Sequence, residues 1–231
     1  MNENNKRPKV IFLDAVGTLF GVRGSVGEVY ASIAWKYGVA VSAEVLNRAF
    51  FESFKVAEPA CFPGVSAVDL PQQEYRWWHA IALQTFHRAN VLHYFSNFDD
   101  FFANLYAHFA TAAPWFVYPD VYKTLESWHH RGIELGILSN FDSRIYAVLK
   151  ALNLADFFKS VTISTEIGAA KPDAKIFAAA LQKHGCAPGE ALHIGDSFEE
   201  DYQGAIAAGL QSFWLQRDKN GNDSRLESIL L

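Results

Sequence analysis

Residues 10–21 read VIFLDAVGTLFG: an apolar run ends abruptly at Asp14, and Gly17 and Thr18 follow within four positions. A short β-branched apolar segment of this kind, Lys9 to Leu13, predicts a strand covered on both faces, as in a parallel sheet. Open α/β sheets bind ligands beyond the carboxyl ends of their strands, so an acid placed directly after such a strand draws attention to that edge.

Working outward, the hydrophobic period changes at Ser25. Val26, Val29, Tyr30, Ile33 and Tyr37 share one helical face, and Gly38 is placed to end the helix. Ser42 can cap a second helix carrying Val45, Leu46, Ala49 and Phe54. A third helix is expected around Trp78, Ile81, Ala82 and Phe86, and a fourth around Phe98, Phe101, Phe102, Leu105 and Phe109. Residues 21–113 therefore read as a helical block without a strand. After Pro114 the pattern alternates. Helix Asp120–His130, strand Ile133–Asn140, a helix through Leu152, strand Ser160–Ser164, a helix capped by Asp173, strand Ala191–Asp196, a helix to Ala208 and strand Gln211–Gln216 follow one another. Strands alternating with helices predict a parallel sheet between helical layers. The expected architecture is α/β: a core from residues 1–20 and 114–231, with residues 21–113 inserted as a helical domain.

Composition limits the function. The 231 residues are 50% hydrophobic and 19% charged, which predicts a filled core rather than disorder. A net charge of −5 argues against nucleic-acid binding but admits a small anionic substrate. Cys61 and Cys186 are too few for a disulfide framework and read as reduced thiols. The start, MNENNKRPKV, lacks the apolar stretch of a secretory signal, and no run reaches the ~18 apolar residues of a membrane span. A soluble, cytoplasmic protein without a membrane partner is expected. No pattern specifies an oligomeric state.

The strand ends collect a coherent set of groups: Asp14 and Thr18, then Ser139 and Asn140, then Lys171 in EIGAAKPD, then Asp196, Glu200 and Asp201 in GDSFEED. Converging carboxylates repel unless a cation joins them, and an all-oxygen set suits a hard ion such as Mg²⁺. The hydroxyls and the Lys171 ammonium would face a tetrahedral oxyanion. Phosphoryl transfer to an aspartate fits this assembly. Singly, each feature has an ordinary use. An Asp or Ser-Asn pair before a helix caps it, a loop lysine is solvated, and acids favour a helix N-terminus. Those uses do not account for all four features in this order at successive strand ends.

DAVGTLF (14–20), GILSN (136–140), AAKPDAKIF (169–177) and HIGDSFEED (193–201) resemble the four ordered motifs of the haloacid dehalogenase superfamily. The resemblance spans essentially the whole chain, including a helical cap inserted between the first two motifs. It implies a Rossmann-like three-layer α/β/α core and Asp14 as nucleophile. It places Thr18, Ser139 and Lys171 around the phosphoryl group of a small phosphorylated substrate. It also implies Mg²⁺ held by Asp14, Asp196 and the backbone carbonyl of Val16, with Asp201 supporting that site.

Val16 departs from the pattern. Most phosphatases of the superfamily carry a second aspartate there, which protonates the leaving oxygen and then activates water. General acid–base catalysis contributes ~10²–10⁴ in rate, so the loss matters. Three readings follow: a phosphatase working without this acid, a 2-haloacid dehalogenase whose halide leaves without a proton, or a non-catalytic relative that binds metal or phospholigand. Asp196 favours the first, because the dehalogenases do not use Mg²⁺. Asn140 at the strand end and, in the helical block, Arg23 within FGVRGSVG are the candidate contacts for an anionic substrate, alongside their ordinary uses as a helix cap and a solvated linker residue. Adjacent Trp77 and Trp78 point about 100° apart on a helix, so at most one is expected to reach a cleft.

Overall fold

Val10–Leu13 forms strand β1, and none of its four side chains is exposed. Burial on both faces is what a central parallel strand requires. The computed structural model describes residues 7–217 and 225–229. β1 is flanked in parallel by β4 (Glu134–Ser139) and β6 (Ala191–Gly195), and the five-stranded order is β5-β4-β1-β6-β7. β5 is Ser160–Ile163 and β7 is Gln211–Trp214, each parallel to its neighbour. The chain fills one side of β1 with β4 and β5, then crosses to the other side with β6. The order therefore reverses between β1 and β6, the crevice where sheets of this type bind ligands. Val10 and Phe12 pack with Ile176, Phe177, Ala180 and Leu181 of α8 (Ala174–His184), whose N-cap Asp173 accepts from the Lys175 amide. Gly185 ends this helix in the left-handed region, as expected.

Two compact units divide the chain: residues 1–21, 61–65 and 117–231, and residues 22–60 and 66–116. The second unit holds α1 (Val26–Lys36), α2 (Ala43–Lys55), α3 (Leu70–Arg88) and α4 (Phe98–His108). Their apolar faces meet in a core that includes Tyr30, Leu46, Phe86, Phe101 and Leu105. Ser25 caps α1 by accepting from the Glu28 amide, whereas Ser42 makes no side-chain cap bond to α2. Both Trp77 and Trp78 pack on this core, edge to face at 4.7 Å, and the Trp77 indole donates to the Glu58 carbonyl.

The structure differs from the sequence reading in two places. Phe20–Val22 forms strand β2, paired with β3 (Trp115–Val117), so the stretch after residue 20 is not wholly helical. Three-residue strands are too short to show a period, and these partners lie far apart in sequence. The expected helix after β6 is instead a π-helical stretch, Phe198–Gln203, followed by α9 (Gly204–Ala207). The amides of Asp201 and Tyr202 both reach the Ser197 carbonyl, at 3.0 and 3.1 Å. Wide turns of this kind recur at functional sites.

Candidate active site

Asp14 follows β1 directly, and its amide donates to the Ile194 carbonyl of β6 at 2.9 Å. That bond fixes the residue at the point where the strand order reverses. Gly17 turns the chain with φ of +86°, a left-handed conformation that suits glycine. A Cβ there would lie 2.3 Å from Asp196 Oδ2, so the missing side chain makes room for that carboxylate. Gly195 does the same for Asp201, whose Cγ would lie 2.1 Å from an added Cβ.

The buried Lys171 ammonium ties the acids together. Nζ donates to Asp14 Oδ1 at 2.7 Å and to Asp201 Oδ1. Asp201 Oδ1 also lies 2.8 Å from His193 Nε2, and its Oδ2 accepts the Ser197 amide at 2.9 Å. Ser139, buried at the end of β4, hydrogen-bonds the Asp14 carboxyl. Asn140 anchors the Lys171 backbone from both directions, with Lys171 N–H to Oδ1 at 2.7 Å and Nδ2 to the Lys171 carbonyl at 3.0 Å. Asn140 Nδ2 also donates to Glu200 Oε2 at 3.0 Å.

This crowding shifts the titrations. Burial would depress the Lys171 ammonium, but the adjoining carboxylates of Asp14 and Asp201 hold it above its ordinary range. Burial pushes Asp14 up against the opposing pull of Lys171. Burial would also raise Asp201, yet Lys171 and the His193 bond win and hold it below the carboxylate range. Asp196, on the solvent side, is pushed up to about 7 by desolvation and then by the charges of Asp14 and Asp201.

One carboxylate oxygen each from Asp14, Asp196 and Asp201 lies within 4.8 Å of the others. This all-oxygen donor set fits a hard divalent cation, which would offset both the desolvation of Asp196 and its repulsion by Asp14 and Asp201. The remaining expected residues are placed as follows. Val16 is half-buried and bridges to Phe20. Thr18, expected to face the ligand, is fully enclosed; its Oγ1 meets no partner, and its carbonyl accepts from Arg217 Nε at 3.0 Å. Arg23, expected at the substrate, donates from Nη2 to the Trp115 carbonyl at 2.8 Å within its own unit. The sequence reading did not single out His193. Its one signal was a polar imidazole inside the apolar strand ALHIG.

The family pattern of haloacid dehalogenase-like hydrolases matches residues 8–209, and the chain belongs to that family. It is a hydrolase of the haloacid dehalogenase superfamily. It is 35% identical over 209 residues to the haloacid dehalogenase-like hydrolase domain-containing protein 3 of Mus musculus, covering 89% of this chain and 80% of that one. It is 38% identical over 103 residues to the glyceraldehyde 3-phosphate phosphatase of Methanopyrus kandleri, covering 44% of each. Among solved structures, the L-2-haloacid dehalogenase RSc1362 shares the fold, with a TM-score of 0.68 at 18% identity over 95% of this chain and 92% of that one. Among the described residues, no helix is long and apolar enough to cross a membrane.

Proposed function

We propose that this hydrolase is a Mg²⁺-dependent phosphatase of the cytoplasm that acts on a small phosphorylated metabolite through an aspartyl-phosphate on Asp14. The observation that carries the reading is the convergence of Asp14, Asp196 and Asp201 around one point beside the Lys171 ammonium. An enzyme displacing halide from carbon has no use for a third carboxylate beside its nucleophile. A phosphoryl group, bearing negative charge of its own, needs that charge balanced.

In this reading Lys171 and Ser139 hold the Asp14 carboxylate and meet the phosphoryl oxygens. A carboxylate oxygen of Asp14 attacks phosphorus. The bond to the leaving oxygen breaks, and its electron pair departs with that oxygen. Water then attacks phosphorus, which frees phosphate and restores the carboxylate. Asp14 and Asp196, with the Val16 carbonyl, would hold Mg²⁺, which when bound neutralises charge on the phosphoryl oxygens. Asp201, with both oxygens already engaged, supports the set by orienting Lys171. Asn140 fixes the loop that carries Lys171. Thr18 follows the Gly17 turn with its hydroxyl buried and unpartnered, a donor left for the phosphoryl group. The helical unit acts as a cap that excludes water, and Arg23 braces its entry strand. Val16 provides no proton donor, so the enzyme favours leaving groups that are stable as anions.

The test measures phosphate release from aryl, acyl and alkyl phosphates, and halide release from 2-haloacids, each with and without Mg²⁺. Metal-dependent phosphate release is expected. Metal-independent halide release would replace this reading with dehalogenation. Neither release, with Mg²⁺ still bound, would leave a non-catalytic binder.

A further inference from the structure

His193 is used by no step above. It lies on β6 with no exposed surface, and its ring meets the Phe177 ring nearly at right angles, centroids 5.7 Å apart. Nδ1 is buried without a partner. Filling an apolar strand position with a half-satisfied imidazole is costly, and an aliphatic side chain would avoid that cost. Packing therefore does not explain the residue, whereas the contact through Nε2 does.

We infer that His193 is a positioning residue for Lys171, acting through Asp201. The catalytic side of this inference rests on the phosphatase reading. The Asp201 carboxylate is held at Oδ2 by the Ser197 amide at 2.9 Å and at Oδ1 by His193 Nε2 at 2.8 Å. Two donors on opposite oxygens fix the rotation of the carboxylate plane. The same Oδ1 receives Lys171 Nζ, and Lys171 meets Asp14 Oδ1 at 2.7 Å. Four residues thus form one hydrogen-bonded row, His193–Asp201–Lys171–Asp14. Without the imidazole donor, Oδ1 is held by Lys171 alone, and the pair can shift together away from Asp14. Misplacement on the order of 1 Å costs as much as ~10²-fold in rate at a reacting centre.

The test compares wild type, His193→Gln and His193→Asn. The Gln amide nitrogen reaches as far as imidazole Nε2, whereas the shorter Asn stops near the place of Nδ1. With p-nitrophenyl phosphate and Mg²⁺, His193→Asn is expected to lower kcat by roughly 10–100-fold, the usual loss for such outer partners, with KM unchanged. His193→Gln is expected to regain most of the loss. Independently of turnover, ¹⁵N-lysine spectra of the metal-free protein should show a slowly exchanging Lys171 ammonium in wild type and His193→Gln, and lose it in His193→Asn. A folded Asn variant with wild-type kcat and an intact ammonium signal would overturn the inference. If the Asn variant does not fold, wild type alone decides through its ¹⁵N-histidine spectrum: a bare Nε2 with the proton on Nδ1 would overturn it. If wild type releases no phosphate, the phosphatase reading fails, while the two spectra still test the row.

Discussion

Lys171→Met removes the ammonium shared by Asp14 and Asp201 while keeping the bulk of the side chain. The Lys171 side chain is 1% exposed, and its partners are 11% and 2% exposed, so water can replace little of the lost charge. Breaking a buried pair by deleting one partner costs about 3–5 kcal/mol. For a chain of this length each kcal/mol moves Tm by about 2–4 °C, which gives a fall of about 6–20 °C in the metal-free protein. Proton uptake by Asp14, already pushed up by burial, draws the value toward the lower end. The pH dependence has a definite sign. Asp201 titrates below its unfolded range, so its pairing contributes fully above the ordinary carboxylate range and is lost as pH falls. The Tm difference between variant and wild type should therefore be largest near neutral pH and shrink in acid. The assay is calorimetric melting of wild type, Lys171→Met and Asp14→Asn/Lys171→Met across that range. The double variant, with one buried carboxylate fewer, should melt above Lys171→Met. A Lys171→Met protein that melts with wild type at neutral pH would refute the charge balance deduced for this cluster.

Other outcomes follow from the same geometry. Asp14→Asn, nearly isosteric, should abolish phosphate release without unfolding the chain; turnover near wild type in a folded variant would remove Asp14 as nucleophile. Asp196→Asn should stabilise the metal-free protein increasingly as pH rises from the ordinary carboxylate range to about 7 and level off above it, because over that range the unfolded chain has released a proton that the folded wild type still holds. In Mg²⁺ the order should reverse, and the metal concentration needed for activity should rise; an unmoved titration curve would show that Asp196 is not a ligand. Under single-turnover conditions, wild type should show a steep dependence of phosphate release on leaving-group pKa, and Val16→Asp should flatten it by restoring the ~10²–10⁴ of a general acid. A flat wild-type response would mean that another group donates the proton. Glu200, raised by burial and held at Asn140, would be the first residue to replace by Gln.

The parts of this fold legible in the sequence are those whose signal is local. β1 is a continuous apolar run, and Asp14, Ser139 and Asp196 each lie at the end of a strand that periodicity locates. The parallel alternation then brings their strand ends to one edge without any contact having to be known. The π-helical turn was not legible, because its hydrogen bonds from residues 201 and 202 to Ser197 leave no mark on hydrophobic spacing. The β2–β3 pair joins residues too far apart for any window to relate. Thr18 and Arg23 show the limit from the other side. Residue type and motif position suggest ligand contact for both, whereas the Arg217 bond to the Thr18 carbonyl and the Trp115 carbonyl that receives Arg23 depend on chain returning from positions 217 and 115. His193 was hidden for the same reason: its value lies in a carboxylate eight positions later that a wide turn brings back.

The hydrogen atoms at positions 17 and 195, where other residues carry a side chain, have a consequence for how this protein can vary. Each leaves a space that a particular acid fills: Asp196 against Gly17, and Asp201 against Gly195. An alanine at either position would force its acid to shift while leaving every charged residue in the chain unchanged. A survey of variants that scores only the acids would rate such a protein intact. The heritable unit at this edge of the sheet is therefore a glycine together with its carboxylate. A descendant that loses Asp201 no longer needs the glycine at 195, whereas the left-handed backbone at 17 still favours glycine after Asp196 is gone.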